Sequence, residues 1–252
     1  MVASVVAAKD SSRAEARARL RNLHALSGVV PVGVFLVLHL WMVSSLLGSR
    51  DAYDRQLAAL TGTTVGAVLE LVLVLLPLAF HAIYGVWLTW QPQREAHAYP
   101  SNLAYVLQRI SGIVVLVFVI AHFWDLRAQT WLFGLDERSY TTRLTEHLSW
   151  TWLGVPFVAL GTLMGIAASI FHLANGMRSF LTTRGFTTTA AARRRADRLF
   201  AALGLLFFFT SSAAVIQLAT GTRFVPADAA PAAPCGSNAP QPQPSSTSST
   251  GP

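Results

Sequence analysis

The chain reads as an all-α polytopic membrane protein with five transmembrane helices, the first four of which form the core. Three observations predict this. Of the 252 residues, 53% are hydrophobic and only 12% are charged, about half the charge of an ordinary soluble domain, and the mean hydropathy is positive. Five apolar runs approach or exceed the ~20 residues a helix needs to cross a bilayer. The basic excess alternates between the two sides of those runs, as the preference of Lys and Arg for the cytoplasmic side requires.

In chain order, residues 1–22 are a polar, alanine-rich segment carrying Lys9, Arg13, Arg17, Arg19 and Arg21. No apolar stretch of a cleavable leader is expected there. The transmembrane domain is expected over residues 23–222. Its first span covers roughly Leu26–Leu47, after which Arg50 and Arg55 are balanced by Asp51 and Asp54. The second covers roughly Val65–Trp90, long enough to tilt, and leads to Arg94 and Arg109 against Glu95. The third covers roughly Leu107–Trp124. Beyond it Arg127, Arg138 and Arg143 face Asp125, Asp136, Glu137 and Glu146. The fourth, roughly Trp150–Met177, precedes Arg178, Arg184, Arg193, Arg194, Arg195 and Arg198 with only Asp197 to offset them. The fifth runs roughly from Leu199 to Ala219. This alternation predicts a cytoplasmic N-terminus and an extracytoplasmic C-terminus. The net charge of +7 then reports topology in lipid, and no nucleic-acid partner is expected. Residues 223–252 are biased toward Pro, Ser and Gln, which predicts a disordered extracytoplasmic tail. They contain Cys235, the one cysteine. A single cysteine excludes an intrachain disulfide, a thiolate cluster and covalent haem attachment.

Four histidines lie within the spans, one on each of the first four: His39, His81, His122 and His172. Ionisable groups in a bilayer are costly and tend to be functional, and four at one per helix point to ligation. Depth sorts them. His39 lies about 20 Å along an outward-running first helix at ~1.5 Å per residue, and His122 sits just before Asp125 at the outer end of the third. His81 is close to Trp90 and His172 to Arg178, both near the inner ends. The pairs are therefore His39 with His122, and His81 with His172. Local sequence repeats the pairing. VFLVLH (Val34–His39) matches VFVIAH (Val117–His122), and FHAIYG (Phe80–Gly85) matches FHLANG (Phe171–Gly176). Two imidazoles make a poor tetrahedral zinc site, but they complete the axial positions of a planar macrocycle. Gly85 and Gly176, one turn beyond their histidines, clear space for such a ring. Gln108, Arg109 and Arg178 stand at the cytoplasmic ends as candidate propionate contacts. The expected cofactors are two b haems, His81 and His172 holding the inner (proximal) one and His39 and His122 the outer (distal) one. A lipid-soluble quinone is the natural redox partner. The tryptophans cluster toward span ends as interfacial anchors, and Pro77 is expected to bend the second span.

LHALSGVVPVGVFLVLHL, FHAIYG, LQRISG and FHLANG, in this order and spacing, resemble the di-haem cytochrome b membrane subunit of succinate:quinone oxidoreductases and fumarate reductases over about residues 20–222. The resemblance implies the same two ligand pairs and a bacterial cytoplasmic membrane. It also implies a partner iron–sulfur subunit on the cytoplasmic face, a flavoprotein subunit carrying the dicarboxylate chemistry, and menaquinone as the quinone. It places His24 near haem or propionate. Some fumarate reductases have a glutamate two residues before the last ligand, where this chain has Ile170. Glu70, the one acid well inside a span, is the candidate proton acceptor of an outer quinone site. Two rival readings are a cytochrome b subunit of a hydrogenase or formate dehydrogenase, and a haem-free transporter.

Overall fold

The structure, a computed structural model, describes residues 2–91, 102–134 and 140–225. These are helical with short connections and contain no strand, only an isolated bridge between Trp152 and Val155. Among the described residues, five helical spans, Ser11–Leu47, Thr64–Thr89, Leu103–Phe133, Phe157–Thr183 and Ala190–Thr220, are long and apolar enough to cross a membrane. The chain is a multi-pass membrane protein. Its outward faces say the same: Trp41 is 73% exposed, Ile83 74% and Trp90 81%, a pattern that lipid satisfies and water does not.

Three boundaries differ from the hydropathy reading, each for a backbone reason. The fourth span starts at Phe157, not Trp150. Leu153 and Gly154 take positive φ angles of 51° and 77°, Trp152 and Val155 bond across that turn, and Pro156 sits at the N-cap. The third span continues past Trp124 through a π-helical turn, Trp124–Ala128, to Phe133. The fifth begins at Ala190 because the Thr189 hydroxyl accepts from the amide of Ala192 at 3.1 Å, so Arg193–Arg198 lie in its first turns rather than in a connection. At the start of the chain one helix, Val2–Val29, runs straight through position 22 and breaks only at Val30 before Pro31. The expectations for the tail and Cys235 lie outside the described residues.

The second span also contains a π-helical turn, Leu71–Leu75, in which Leu76 N–H donates to Leu71 O. Pro77 follows at once. Having no N–H, it cannot continue the regular ladder, and the widened turn absorbs that loss. The apolar core sits toward the end of the bundle remote from the N-terminal helix. There Leu46, Leu148, Ile166, Val215 and Leu218 pack with Tyr53, Ala159 and Ala214. Two short helices, Arg50–Thr61 and Tyr140–Ser149, cover that end. Ser49 caps the first by accepting from Ala52 N–H, and Thr141 Oγ1 donates to Asp54 at 2.6 Å, tying the two together. Gln217 Nε2 donates to Leu46 O at 2.9 Å, fixing the fifth span to the end of the first.

Candidate functional site

A continuous cavity of about 2500 Å³ runs between the spans, and all four intramembrane histidines line it. Helix geometry brings them together as two couples. His39 and His122 have ring centres 5.8 Å apart with planes at 78°. His81 and His172 have ring centres 6.2 Å apart with planes at 89°. Two imidazoles bound trans to one metal, at about 2.0 Å per metal–nitrogen bond and about 1.1 Å more to each ring centre, would stand about 6 Å apart. Both couples match that spacing. Among the described residues no group of three or more His, Cys, Asp or Glu side chains converges on one point. The donor set is thus two imidazoles per site, which fits a metal that arrives with its equatorial ligands in place.

The couples are oriented by different means. In the first, Phe35 stacks on His39 at 5.5 Å and 22°, and Phe118 packs on His122 at 5.4 Å and 32°. Each phenylalanine lies one helical turn before its histidine, on the same face. In the second, polar contacts dominate. His81 Nδ1 lies 3.0 Å from the carbonyl of His24, and His172 Nδ1 lies 3.2 Å from the carbonyl of Gln108. A ring whose Nδ1–H is held by a carbonyl presents Nε2 to a metal.

The other sequence-predicted residues divide. His24 lines the cavity and stacks on His81 at 4.1 Å and 12°. Gln108 lines it too, but its amide is engaged with His172 and Asn175. Arg109 lines it while donating to the carbonyls of Leu88 and Gln91 and lying over the Tyr105 ring. Arg178 does not line it; its guanidinium bonds Asp197 of the fifth span at 2.6 Å. Glu70 lines the opposite end, held by Arg127 through Nε at 2.8 Å and Nη2 at 2.5 Å. Gly85 and Gly176 both line the cavity, and each also faces a side chain from another helix. A Cβ at Gly85 would lie 3.1 Å from His24 Cε1, and one at Gly176 would lie 3.4 Å from Gln108 Nε2. The glycines that admit the inner imidazole rings are Gly28, facing His81, and Gly112, facing His172. Sequence reasoning also missed Arg17 and Arg21 as cavity-lining cations. Their spacing of four on one helix was the available signal.

Comparison with known proteins gives the chain's family. A family model described as succinate dehydrogenase/fumarate reductase transmembrane subunit matches residues 92–212. The succinate dehydrogenase cytochrome b558 subunit of Bacillus subtilis (strain 168) is 31% identical over 169 residues, 66% of this chain and 80% of that relative. No solved structure matches the chain.

Proposed function

The chain belongs to the succinate dehydrogenase/fumarate reductase transmembrane subunit family, and from that premise we propose that it anchors such a complex in a bacterial cytoplasmic membrane and carries electrons between its iron–sulfur subunit and membrane quinone. The observation that carries this reading is the placement of four histidines as two couples in one cavity, each at bis-imidazole spacing. His81 and His172 would hold a b haem near the cytoplasmic face, and His39 and His122 a second near the outer face. Bound haem supplies one-electron redox chemistry. The chain's own residues do the rest. Gly28 and Gly112 admit the inner rings, Phe35 and Phe118 orient the outer ones, and the apolar lining excludes water. Arg17, Arg21 and Arg109 offer cations at the inner mouth to propionates.

At the outer mouth, Glu70 and Arg127 place a carboxylate and its counter-charge beside the cavity. Glu70 is the proton acceptor for a quinol bound there, menaquinol by the family's chemistry. The flavoprotein subunit performs the dicarboxylate reaction. The charge alternation sets the N-terminus inside and the tail outside.

The test is purification of the tagged chain together with its complex. Succinate should reduce its haem absorbance bands, and a menaquinone analogue should reoxidise them. Purification of haem-loaded chain with a hydrogenase or formate dehydrogenase, and without a succinate-oxidising flavoprotein, would contradict the proposal.

A further inference from the structure

The segments LHALSG (Leu23–Gly28) and LQRISG (Leu107–Gly112) are one device used twice. In each, the serine hydroxyl donates to the carbonyl three residues back: Ser27 Oγ to His24 O at 2.9 Å and Ser111 Oγ to Gln108 O at 3.1 Å. Those same carbonyls are the ones beside Nδ1 of His81 and of His172. The glycine that closes each segment lets the facing ring approach. A Cβ on Gly28 would collide with the His81 ring, and one on Gly112 would lie 3.0 Å from His172 Cε1. One hydroxyl and one ring nitrogen therefore meet at a single carbonyl at each inner histidine.

The two copies differ in what secures them. At His172, Asn175 is 2% exposed and donates Nδ2 to Gln108 Oε1 at 2.9 Å and to Ala104 O at 3.1 Å. That fixes the Gln108 amide so that its Nε2 donates to His172 O at 3.1 Å, in the space Gly176 leaves. Ser111 Oγ is also 3.2 Å from His172 Nδ1. At His81 the ring of His24 takes the place of the Gln108 amide, stacked on the imidazole it serves.

We propose that these two Leu-x-x-x-Ser-Gly segments are matched clamps that fix the tautomer and donor strength of His81 and His172, and so set the reduction potential of the inner haem independently of the outer one. This rests on the haem-ligand reading above. A ring N–H given to a carbonyl makes the imidazole a stronger donor, which favours the ferric state and lowers the potential. A hydroxyl drawing on the same carbonyl weakens that pull. Removing the hydroxyl strengthens it. His39 and His122 pack on phenylalanines instead, so the same change leaves them alone. Ser27, Ser111 and Asn175 are positioning residues here, since none of them contacts the metal position.

The experiment is a redox titration of the full chain in its complex, followed in the haem absorbance bands, with haem counted in each sample. Ser27→Ala and Ser111→Ala should each keep two haems and lower one of two midpoint potentials. The expected size is a three- to tenfold change in the ferric/ferrous ratio, up to about 60 mV for a one-electron couple. Ser27→Thr and Ser111→Thr, which retain the hydroxyl, should keep the original potential. Asn175→Leu should move the same potential as Ser111→Ala. Two haems with neither potential moved would overturn the clamp and leave the function standing, as would equal shifts of both. Haem loss in an alanine variant supports the clamp if the threonine variant retains that haem, and counts against it if both lose it. A wild-type chain without haem would sink both proposals.

Discussion

At Gly165 a methyl group would overlap the ring of Phe118, and that ring packs on His122. The outer couple therefore depends on a residue of the fourth span that touches neither histidine. Gly165→Ala should displace Phe118, reduce haem content toward one per chain and spare the inner haem's spectrum. Adding Phe118→Ala should restore part of the loss, because the clash is then gone. Pyridine haemochrome counting checks both. The phenylalanine was visible in VFLVLH and VFVIAH, yet its role was not, since spacing shows a shared face and stacking depends on rotamers. Gly85 and Gly176 illustrate the converse. Their position one turn past a histidine puts both on the cavity wall, but their contacts with His24 and Gln108 come from other helices, which no single-helix argument reaches.

A second residue-scale test lies outside the spans. Tyr53 is 6% exposed, and burial, with smaller contributions from Asp54 and Tyr140, pushes its phenol up to about 12 from the usual 10. A pKa raised on folding means stability that is complete below pH ~10 and is lost as pH climbs through ~12. About two units correspond to roughly 2–3 kcal/mol. Thermal unfolding in detergent between pH 9 and 12 should show this loss, and Tyr53→Phe should flatten it.

Among the elements, the two π-helical turns deserve comparison. Leu71–Leu75 follows Glu70 directly, and Trp124–Ala128 contains Arg127. The distortions lie where the two residues of the ion pair meet, and π turns are frequent at functional sites. The side chains of Arg127 and Glu70 are 9% and 22% exposed, so this is a buried pair. Losing one partner leaves an uncompensated charge. Arg127→Leu should therefore destabilise by about 3–5 kcal/mol, while the double variant with Glu70→Leu should be close to neutral. A double-mutant cycle on melting temperature measures it. Purely additive losses would show that the pair contributes no coupling. Pro77 flagged the first distortion in the sequence. Nothing comparable marks the second, because hydropathy falls at Asp125 whether the helix ends or continues. Arg127 was consequently counted with the loop charges. The false start at Trp150 has the same origin: apolar composition cannot distinguish a helix from a turn closed by Leu153, Gly154 and Pro156.

For the whole molecule, the membrane architecture was legible because it is written in averages: apolar run length, alternation of basic charge, and one histidine in each of four runs. Depth arithmetic alone coupled His39 with His122 and His81 with His172, and the structure brings those rings within 5.8 and 6.2 Å. What needed coordinates was everything set by contacts between helices, from the Ser–carbonyl–imidazole clamps to the Arg178–Asp197 pair that removes one candidate from the cavity. The near-perpendicular imidazole planes, 78° and 89°, have a consequence at this scale. A ferric haem held by either couple in this orientation should show strongly anisotropic low-spin electron paramagnetic resonance. Ordinary rhombic spectra would show that the rings rotate on loading.

The most direct test of the central claim is haem stoichiometry in the purified chain, by pyridine haemochrome and a dithionite-reduced minus oxidised spectrum, across wild type and the four histidine-to-alanine variants. The account requires two low-spin b haems in wild type. His81→Ala and His172→Ala should lose one and the same spectral component, and His39→Ala and His122→Ala the other. A folded, membrane-inserted chain that binds no haem, or variants whose losses follow any other pairing, would contradict it.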